Sequence, residues 1–139
     1  MKNKLLLDTS FAIARASHRD QFHLKAKFWS DKIQFENIPI VVTQAVILEI
    51  GNALSKLSFR QIAVGLLESF EKSENTTIIS MTDELYDEAF ELFRNRPDKE
   101  WGLVDCISFI VMKEQDITDA LTADEHFTQA GFRALLREE

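Results

Sequence analysis

The stretch KLLLDTSFAIA, from Lys4 to Ala14, places a carboxylate at the end of an apolar run. Its three successive leucines predict a short buried strand. The following residues, TSFAIARA, favour a helix with Thr9 or Ser10 as its N-cap. Asp8 lies between these two elements, where an acid either caps the helix or serves a site at the end of the strand.

The rest of the chain continues this alternation of strands and helices. Apolar or β-branched runs predict further strands at residues 38–43, 76–80, 119–124 and 132–136. Helical spacing predicts helices at residues 20–35, 44–57, 58–73, 82–93 and 104–114, with Ser58 and Thr82 as caps. This order predicts an α/β fold with a parallel sheet and helices on both faces. Ligands bind such sheets at the carboxyl ends of the strands.

Length, composition and charge limit the kind of protein. The 139 residues are 45% hydrophobic with 4 Gly and 2 Pro, which predicts one ordered domain spanning residues 1–139. A single cysteine, no membrane-length apolar run and no secretory pattern in residues 1–15 predict a cytoplasmic protein with no membrane association. The net charge of −7 repels polyanions, so any nucleic-acid activity requires a local basic patch or bound cations.

Three more acids stand beside predicted strand ends or in apolar helices. Glu49 lies in VILEIGNAL, Asp105 in WGLVDCISFIVM, and Asp124 directly follows ALTA. Each alone has an ordinary explanation: a half-exposed helix position for Glu49, helix capping for Asp105 and a turn acid for Asp124. Together with Asp8, they predict a cluster at one edge of the sheet.

Such a cluster requires compensation of its charge. Two carboxylates about 4 Å apart repel by roughly 4 kcal/mol at an effective dielectric near 20. Hard oxygen ligands suit Mg²⁺ or Mn²⁺, and such ions activate water and hold phosphodiesters. Zinc is disfavoured because the three histidines (His18, His23 and His126) lack zinc-ligand spacing. His126 is expected to be a surface or turn residue.

Four blocks, in this order, resemble the PIN-domain family, close to the VapC-type toxins of toxin–antitoxin systems. They are LLLDTS, LEIGNAL, LVDCISF and ALTADEHFTQAGF, and together they span nearly the whole chain. The resemblance implies one PIN domain over residues 1–139. The implied fold is a three-layer α/β/α sandwich around a parallel sheet of four to five strands.

The resemblance also implies a function. Asp8, Glu49, Asp105 and Asp124 match the acidic positions of the family, where they would bind Mg²⁺ or Mn²⁺. The implied activity is metal-dependent endoribonuclease cleavage that leaves 5′-phosphate and 3′-hydroxyl ends. The implied role is the toxin of a toxin–antitoxin pair, with RNA as substrate, a small antitoxin protein as partner, and homodimer formation. The alternative is a PIN scaffold that binds RNA or protein with little or no nuclease activity.

Two other families with acidic α/β sites fit the residues less well. A receiver domain carries an acidic pair at its first strand, and only Asp8 is present here. A haloacid-dehalogenase-type phosphatase has a second aspartate two residues later, where this chain has Ser10.

Neighbouring polar residues are candidates for supporting roles, each with an ordinary structural alternative. The hydroxyls of Thr9 and Ser10 either belong to the site together with Asp8 or cap the helix. Thr122 either faces the site or is a strand residue. Asn52 either orients a metal-bound water or is a surface amide.

Basic residues are candidates for RNA contact. Those in RNRPDKEW (Arg94, Arg96 and Lys99) would hold phosphates while Trp101 stacks on a base. The alternative is a solvated loop with Trp101 in the core. Arg15 belongs to a second basic group after the first helix.

Overall fold

Five short strands form one parallel sheet in the computed structural model, which describes residues 3–139. The strands are β1 (Leu5–Leu7), β2 (Ile40–Thr43), β3 (Thr76–Ile79), β4 (Asp119–Leu121) and β5 (Arg133–Ala134). Their order across the sheet is β3-β2-β1-β4-β5, and every neighbouring pair is parallel. The predicted parallel sheet is therefore confirmed, with five strands.

Within the described residues, seven α-helices connect and cover the strands. They are α1 (Thr9–Ala16), α2 (His23–Glu36), α3 (Gln44–Ala53), α4 (Leu57–Lys72), α5 (Asp83–Asn95), α6 (Leu103–Glu114) and α7 (Glu125–Gln129). A 3-10 turn at Leu135–Arg137 follows β5. Within residues 3–139, no helix is long and apolar enough to cross a membrane.

Side chains of β1 alternate between two cores, one on each face of the sheet. Leu5 and Leu7 pack with residues of α1 to α4, and Leu6 packs with residues of α5, α6 and α7. Successive side chains of a strand point to opposite faces, so a strand covered on both faces is apolar at every position. This explains the three leucines and confirms the three-layer α/β/α sandwich.

The strand order places a crevice beside Asp8. The chain passes from β1 to β2 and β3 on one side, and then returns to add β4 on the other side of β1. The order thus reverses between β1 and β4, and ligands of open α/β sheets bind in the crevice at such a point. Asp8 follows β1 and Asp124 lies just beyond β4.

The sequence prediction is wrong at the junction of α3 and α4. One helix was expected over residues 44–57 and a second one capped by Ser58, but α3 ends at Ala53 and α4 begins at Leu57. The Arg60 side chain donates hydrogen bonds to the Ser55 carbonyl oxygen, at 3.0 and 2.7 Å, in the link between the helices. Leu57, expected as the last residue of the first helix, is instead the first residue of α4 and is 91% exposed.

Candidate metal centre

An open cavity of about 740 Å³ lies at the carboxyl ends of β1 and β4. All four acids predicted from the sequence line it: Asp8, Glu49, Asp105 and Asp124. Thr9, Ser10 and Asn52 also line it, as does His126. The structure thus brings side chains from four separated segments of the chain into one cavity.

Asp8 is the most enclosed of the four acids, with only 6% of its surface exposed. Its Oδ2 atom accepts hydrogen bonds from Thr122 Oγ1 at 2.8 Å and Ser10 Oγ at 2.9 Å. Asp8 is also the N-cap of α1. Burial raises the pKa of the Asp8 carboxyl above its ordinary value, and the hydroxyl hydrogen bonds oppose that rise.

Two hydroxyls tie the end of β1 to the end of β4. Thr122 is completely buried, and its Oγ1 atom accepts from the Asp124 backbone N–H at 3.0 Å while it donates to Asp8. Ser10 Oγ accepts from the Ala123 backbone N–H at 2.9 Å. These bonds fix Asp8 relative to the segment that carries Asp124.

Asp105 and Asp124 each hold the start of a helix. Asp105 Oδ2 accepts from the Gly102 backbone N–H at 3.0 Å at the start of α6. Asp124 is the N-cap of α7, where Oδ1 accepts from the His126 backbone N–H at 2.9 Å. Burial raises the pKa of Asp105, and the negative charges of Asp124 and Asp8 raise it further.

His126 joins these two acids, a placement that the sequence did not predict. Its Nδ1 atom lies 3.1 Å from Asp105 Oδ2 and 3.4 Å from Asp124 Oδ1. Ligand atoms of the three residues all lie within 4.8 Å of one another. The only signal in the sequence is that His126 follows Asp124 by two residues at the start of a short helix, and this spacing alone is not specific.

Glu49 approaches the cavity from α3 and is exposed. Its Oε1 atom accepts a hydrogen bond of 2.6 Å from Thr9 Oγ1, which links α3 to the start of α1. Asn52 lies on the same helix three residues later and is also exposed. Glu49 and Asp8 line the cavity with Asp105 and Asp124 but are outside the group within 4.8 Å.

The basic residues predicted to bind RNA do not line this cavity. Arg96 pairs with Asp98 at 3.0 Å, and Arg94 lies over the Phe90 ring at 5.2 Å. Lys99 is half-buried and Arg15 is exposed at the end of α1. Their proposed contacts with RNA remain a prediction.

Base stacking by Trp101 is contradicted. Trp101 is 6% exposed, packs edge-on against Phe109 and donates a hydrogen bond from Nε1 to Gln129 at 3.1 Å. A buried ring has no free face for a base. The alternative of a core tryptophan is the one the structure supports.

The donor set of the cavity suits a hard divalent cation. The described residues lining it include four carboxylates but no Lys or Arg to offset their charge. Carboxylate oxygens with room for water are the surroundings that Mg²⁺ and Mn²⁺ prefer. A divalent ion among these acids would offset their repulsion and present water to a phosphodiester.

Three comparisons with known proteins identify the family and the fold of the chain. The chain matches the PIN domain family over residues 5–133. It is similar to the 23S rRNA-specific endonuclease VapC20 of Mycobacterium tuberculosis, from strains CDC 1551 / Oshkosh and ATCC 25618 / H37Rv. The identity is 29% over 130 residues, covering 92% of this chain and 95% of the relative.

The fold is also similar to a crystal structure of Mycobacterium tuberculosis VapC20, described as a Sarcin-Ricin loop cleaving toxin. The TM-score is 0.79 and the identity 26%, with 92% of this chain and 95% of that chain covered. The likeness thus extends over nearly the full length of both chains.

Proposed function

This chain belongs to the PIN domain family, and from that premise we propose that it is a metal-dependent endoribonuclease, the toxin of a toxin–antitoxin pair. The observation that carries this proposal is the meeting of Asp8, Glu49, Asp105 and Asp124 in one cavity without a compensating cationic side chain among the described lining residues. The similarity to VapC20, a 23S rRNA-specific endonuclease, supports RNA as the substrate class.

We propose that Asp8, Asp105 and Asp124 hold Mg²⁺ or Mn²⁺ and that Glu49 completes the site from the rim. When bound, such an ion supplies a nucleophilic water near neutral pH and offsets charge on the phosphodiester. Ser10 and Thr122 direct Asp8 into the cavity through hydrogen bonds of 2.9 and 2.8 Å. Thr9 positions Glu49, and Asn52 lies beside it to bind water or substrate. Cleavage would leave 5′-phosphate and 3′-hydroxyl ends.

Substrate binding by a chain of net charge −7 requires local positive charge. We propose that the metal ion supplies it at the cavity. Arg15, Arg94, Arg96 and Lys99 would contact phosphates further along the RNA. A binding module without nuclease activity is not favoured, because all four acids are present and the similar protein VapC20 is an endonuclease.

Incubation with labelled RNA tests the nuclease proposal. The substrates would include an unstructured RNA and a 23S rRNA fragment, with Mg²⁺, with Mn²⁺ or with EDTA. We expect cleavage with either metal and none with EDTA. Glu49→Gln is the control for a contaminating nuclease, since Glu49 is exposed and we expect its replacement to leave the fold intact. Cleavage that resists EDTA, or that equals wild type in this variant, would contradict the proposal.

The toxin role needs a separate test in cells. We expect expression of the chain to stop growth, and co-expression of a small antitoxin encoded beside it to restore growth. Unimpaired growth at a level of protein that cleaves RNA in vitro would contradict the toxin role and leave the nuclease intact.

Thr122→Val is expected to lower the cleavage rate by about 10–100-fold, the usual effect of losing a hydrogen bond that orients a metal ligand. Valine keeps the shape of the buried side chain but cannot donate to Asp8 Oδ2. Thr122→Ser keeps the hydroxyl and is expected to restore most of the rate. Thr118→Val is the control, because Thr118 is exposed before β4. Equal rates for valine and serine at position 122 would exclude a role for the hydroxyl.

Self-association remains a prediction, and we propose that it uses an aromatic strip on α5. Tyr86, Phe90 and Phe93 are exposed, with neighbouring ring centroids 6.1 and 6.5 Å apart. Arg94 lies over Phe90 among the acids of this helix, so the strip carries both signs of charge. A surface with both signs can pair with itself across a two-fold axis.

Phe90→Glu is expected to weaken self-association by about 30-fold or more, as is typical of an aromatic anchor at an interface. Sedimentation of the variant over a range of concentrations measures the change. Phe35→Glu, the same substitution at an exposed site on α2, is the matched control. A monomeric wild type at all concentrations would overturn the proposed homodimer.

A further inference from the structure

His126 lines the cavity beside two of its acids, Asp105 and Asp124. Its Nδ1 atom faces two carboxylate oxygens at once, 3.1 Å from Asp105 Oδ2 and 3.4 Å from Asp124 Oδ1. One ligand atom from each of the three residues lies within 4.8 Å of the other two, and this group includes only two of the four acids.

These separations match those of ligands that share one ion. Two atoms about 2.1 Å from an octahedral ion, in neighbouring positions, lie about 3.0 Å apart. The distances from Nδ1 to Asp105 and Asp124 are close to that spacing. Nδ1 is within hydrogen-bond distance of Asp105 Oδ2, and coordination of an ion held by the two carboxylates would replace that contact.

The backbone that carries His126 is held in place by its surroundings. His126 lies in α7, a helix that Asp124 caps. The residue after His126, Phe127, is completely buried. Phe127 packs edge-on against Phe109 at 5.0 Å. This packing holds α7, and with it His126, at the edge of the cavity.

We propose that His126 is a nitrogen ligand of the divalent ion and that it makes this centre prefer Mn²⁺ over Mg²⁺; the inference rests on the proposed metal-dependent nuclease. Mg²⁺ is bound by oxygen ligands and retains its waters, whereas imidazole is a common ligand of first-row transition ions. Four carboxylates alone would accept either ion. His126 adds the nitrogen ligand that favours Mn²⁺ over Mg²⁺.

Direct binding of Mn²⁺, and of Mg²⁺ in competition, tests the inference without reference to activity. Two variants are informative: His126→Ala removes the ligand, and His126→Asn places an amide oxygen or nitrogen where Nδ1 was. We expect both variants to lower the ratio of Mn²⁺ to Mg²⁺ affinity by about tenfold or more. The asparagine variant is expected to retain Mg²⁺ binding because its amide offers an oxygen. His18→Ala, at an exposed histidine outside the cavity, is the control.

Electron spin-echo measurements on bound Mn²⁺ give a second readout. We expect a nitrogen coupling in the wild type that changes with ¹⁵N-labelled histidine and is absent from His126→Ala. Circular dichroism and thermal midpoints would verify that both variants fold. A Mn²⁺ centre with oxygen ligands only, or an unchanged affinity ratio, would overturn the role of His126 while leaving the nuclease intact. Absence of any metal binding together with absence of metal-dependent cleavage would overturn both.

Discussion

Asp8→Asn is expected to lower the rate of RNA cleavage by at least about 1000-fold. A metal site supplies several kcal/mol of charge stabilisation in the transition state, and each 1.4 kcal/mol corresponds to a factor of ten in rate. Asparagine keeps the size of the side chain and an oxygen for the hydroxyls of Ser10 and Thr122, but it removes the charge. Single-turnover cleavage of labelled RNA measures the effect.

The same substitution is expected to raise the stability of the metal-free protein. Burial raises the pKa of Asp8 in the folded state, so the folded state binds a proton more readily than the unfolded state. Well below about pH 4, the ordinary pKa of aspartate, the carboxyl is protonated in both states and does not destabilise the fold. As pH rises through the raised folded-state pKa, the buried charge destabilises the fold. The increase in the free energy of unfolding caused by Asp8→Asn should therefore be small at acidic pH and reach a plateau at neutral pH.

Thermal unfolding in EDTA at a series of pH values measures this gain, at roughly 4 °C per kcal/mol for a domain of this size. Asp31→Asn, at an exposed position on α2, is the matched control and should change neither cleavage nor stability. A variant that is inactive but less stable than wild type at neutral pH would show that Asp8 is needed for folding and would remove the evidence for its chemical role.

Phe127→Ala is expected to lower the free energy of unfolding by about 3–5 kcal/mol. Phe127 has no exposed surface, and its ring packs against Phe109 beneath α7. Removing the ring leaves a cavity in the core between the sheet and α6. Because the total stability of a domain is about 5–15 kcal/mol, this is a large share of it. Urea unfolding monitored by circular dichroism measures the change.

Phe35→Ala is the matched control for that experiment. Phe35 lies near the end of α2 and is 88% exposed, so its truncation should change the free energy of unfolding by less than about 0.5 kcal/mol. Similar losses for the two variants would mean that α7 is not packed as described. The position of Asp124 and His126 relative to Asp105 would then be in doubt as well.

Local patterns in the sequence were sufficient to predict most of the fold. The leucines of β1 and the β-branched residues of β2 are buried on both faces, and such strands are recognisable as continuous apolar runs. Thr82 caps α5 as predicted, because its hydroxyl accepts from the Leu85 backbone N–H. A break between α3 and α4 was predicted but placed too late, because the apolar spacing continues from α3 into α4 while the chain leaves the helix after Ala53.

The acids of the candidate site were found because charge at the end of an apolar run is conspicuous. The structure brings Asp8 and Asp124 to the same cavity through the adjacency of β1 and β4. Their chemical roles remain proposals. His126 was missed because its partners, Asp105 and Asp124, come from two helix starts that only the tertiary fold brings together. For Trp101 the sequence left base stacking and burial in the core as alternatives, and packing against Phe109 decides for burial.

Asp8 and Asp124 are the N-caps of α1 and α7, and Asp105 accepts from the backbone at the start of α6. Asparagine is as good a cap as aspartate, so an amide at any of the three positions preserves these backbone contacts. A single substitution of one of these aspartates by asparagine is therefore expected to give a folded protein that does not cleave RNA. Such a protein would accumulate in a growing culture, and it would serve as bait to capture the uncut natural target.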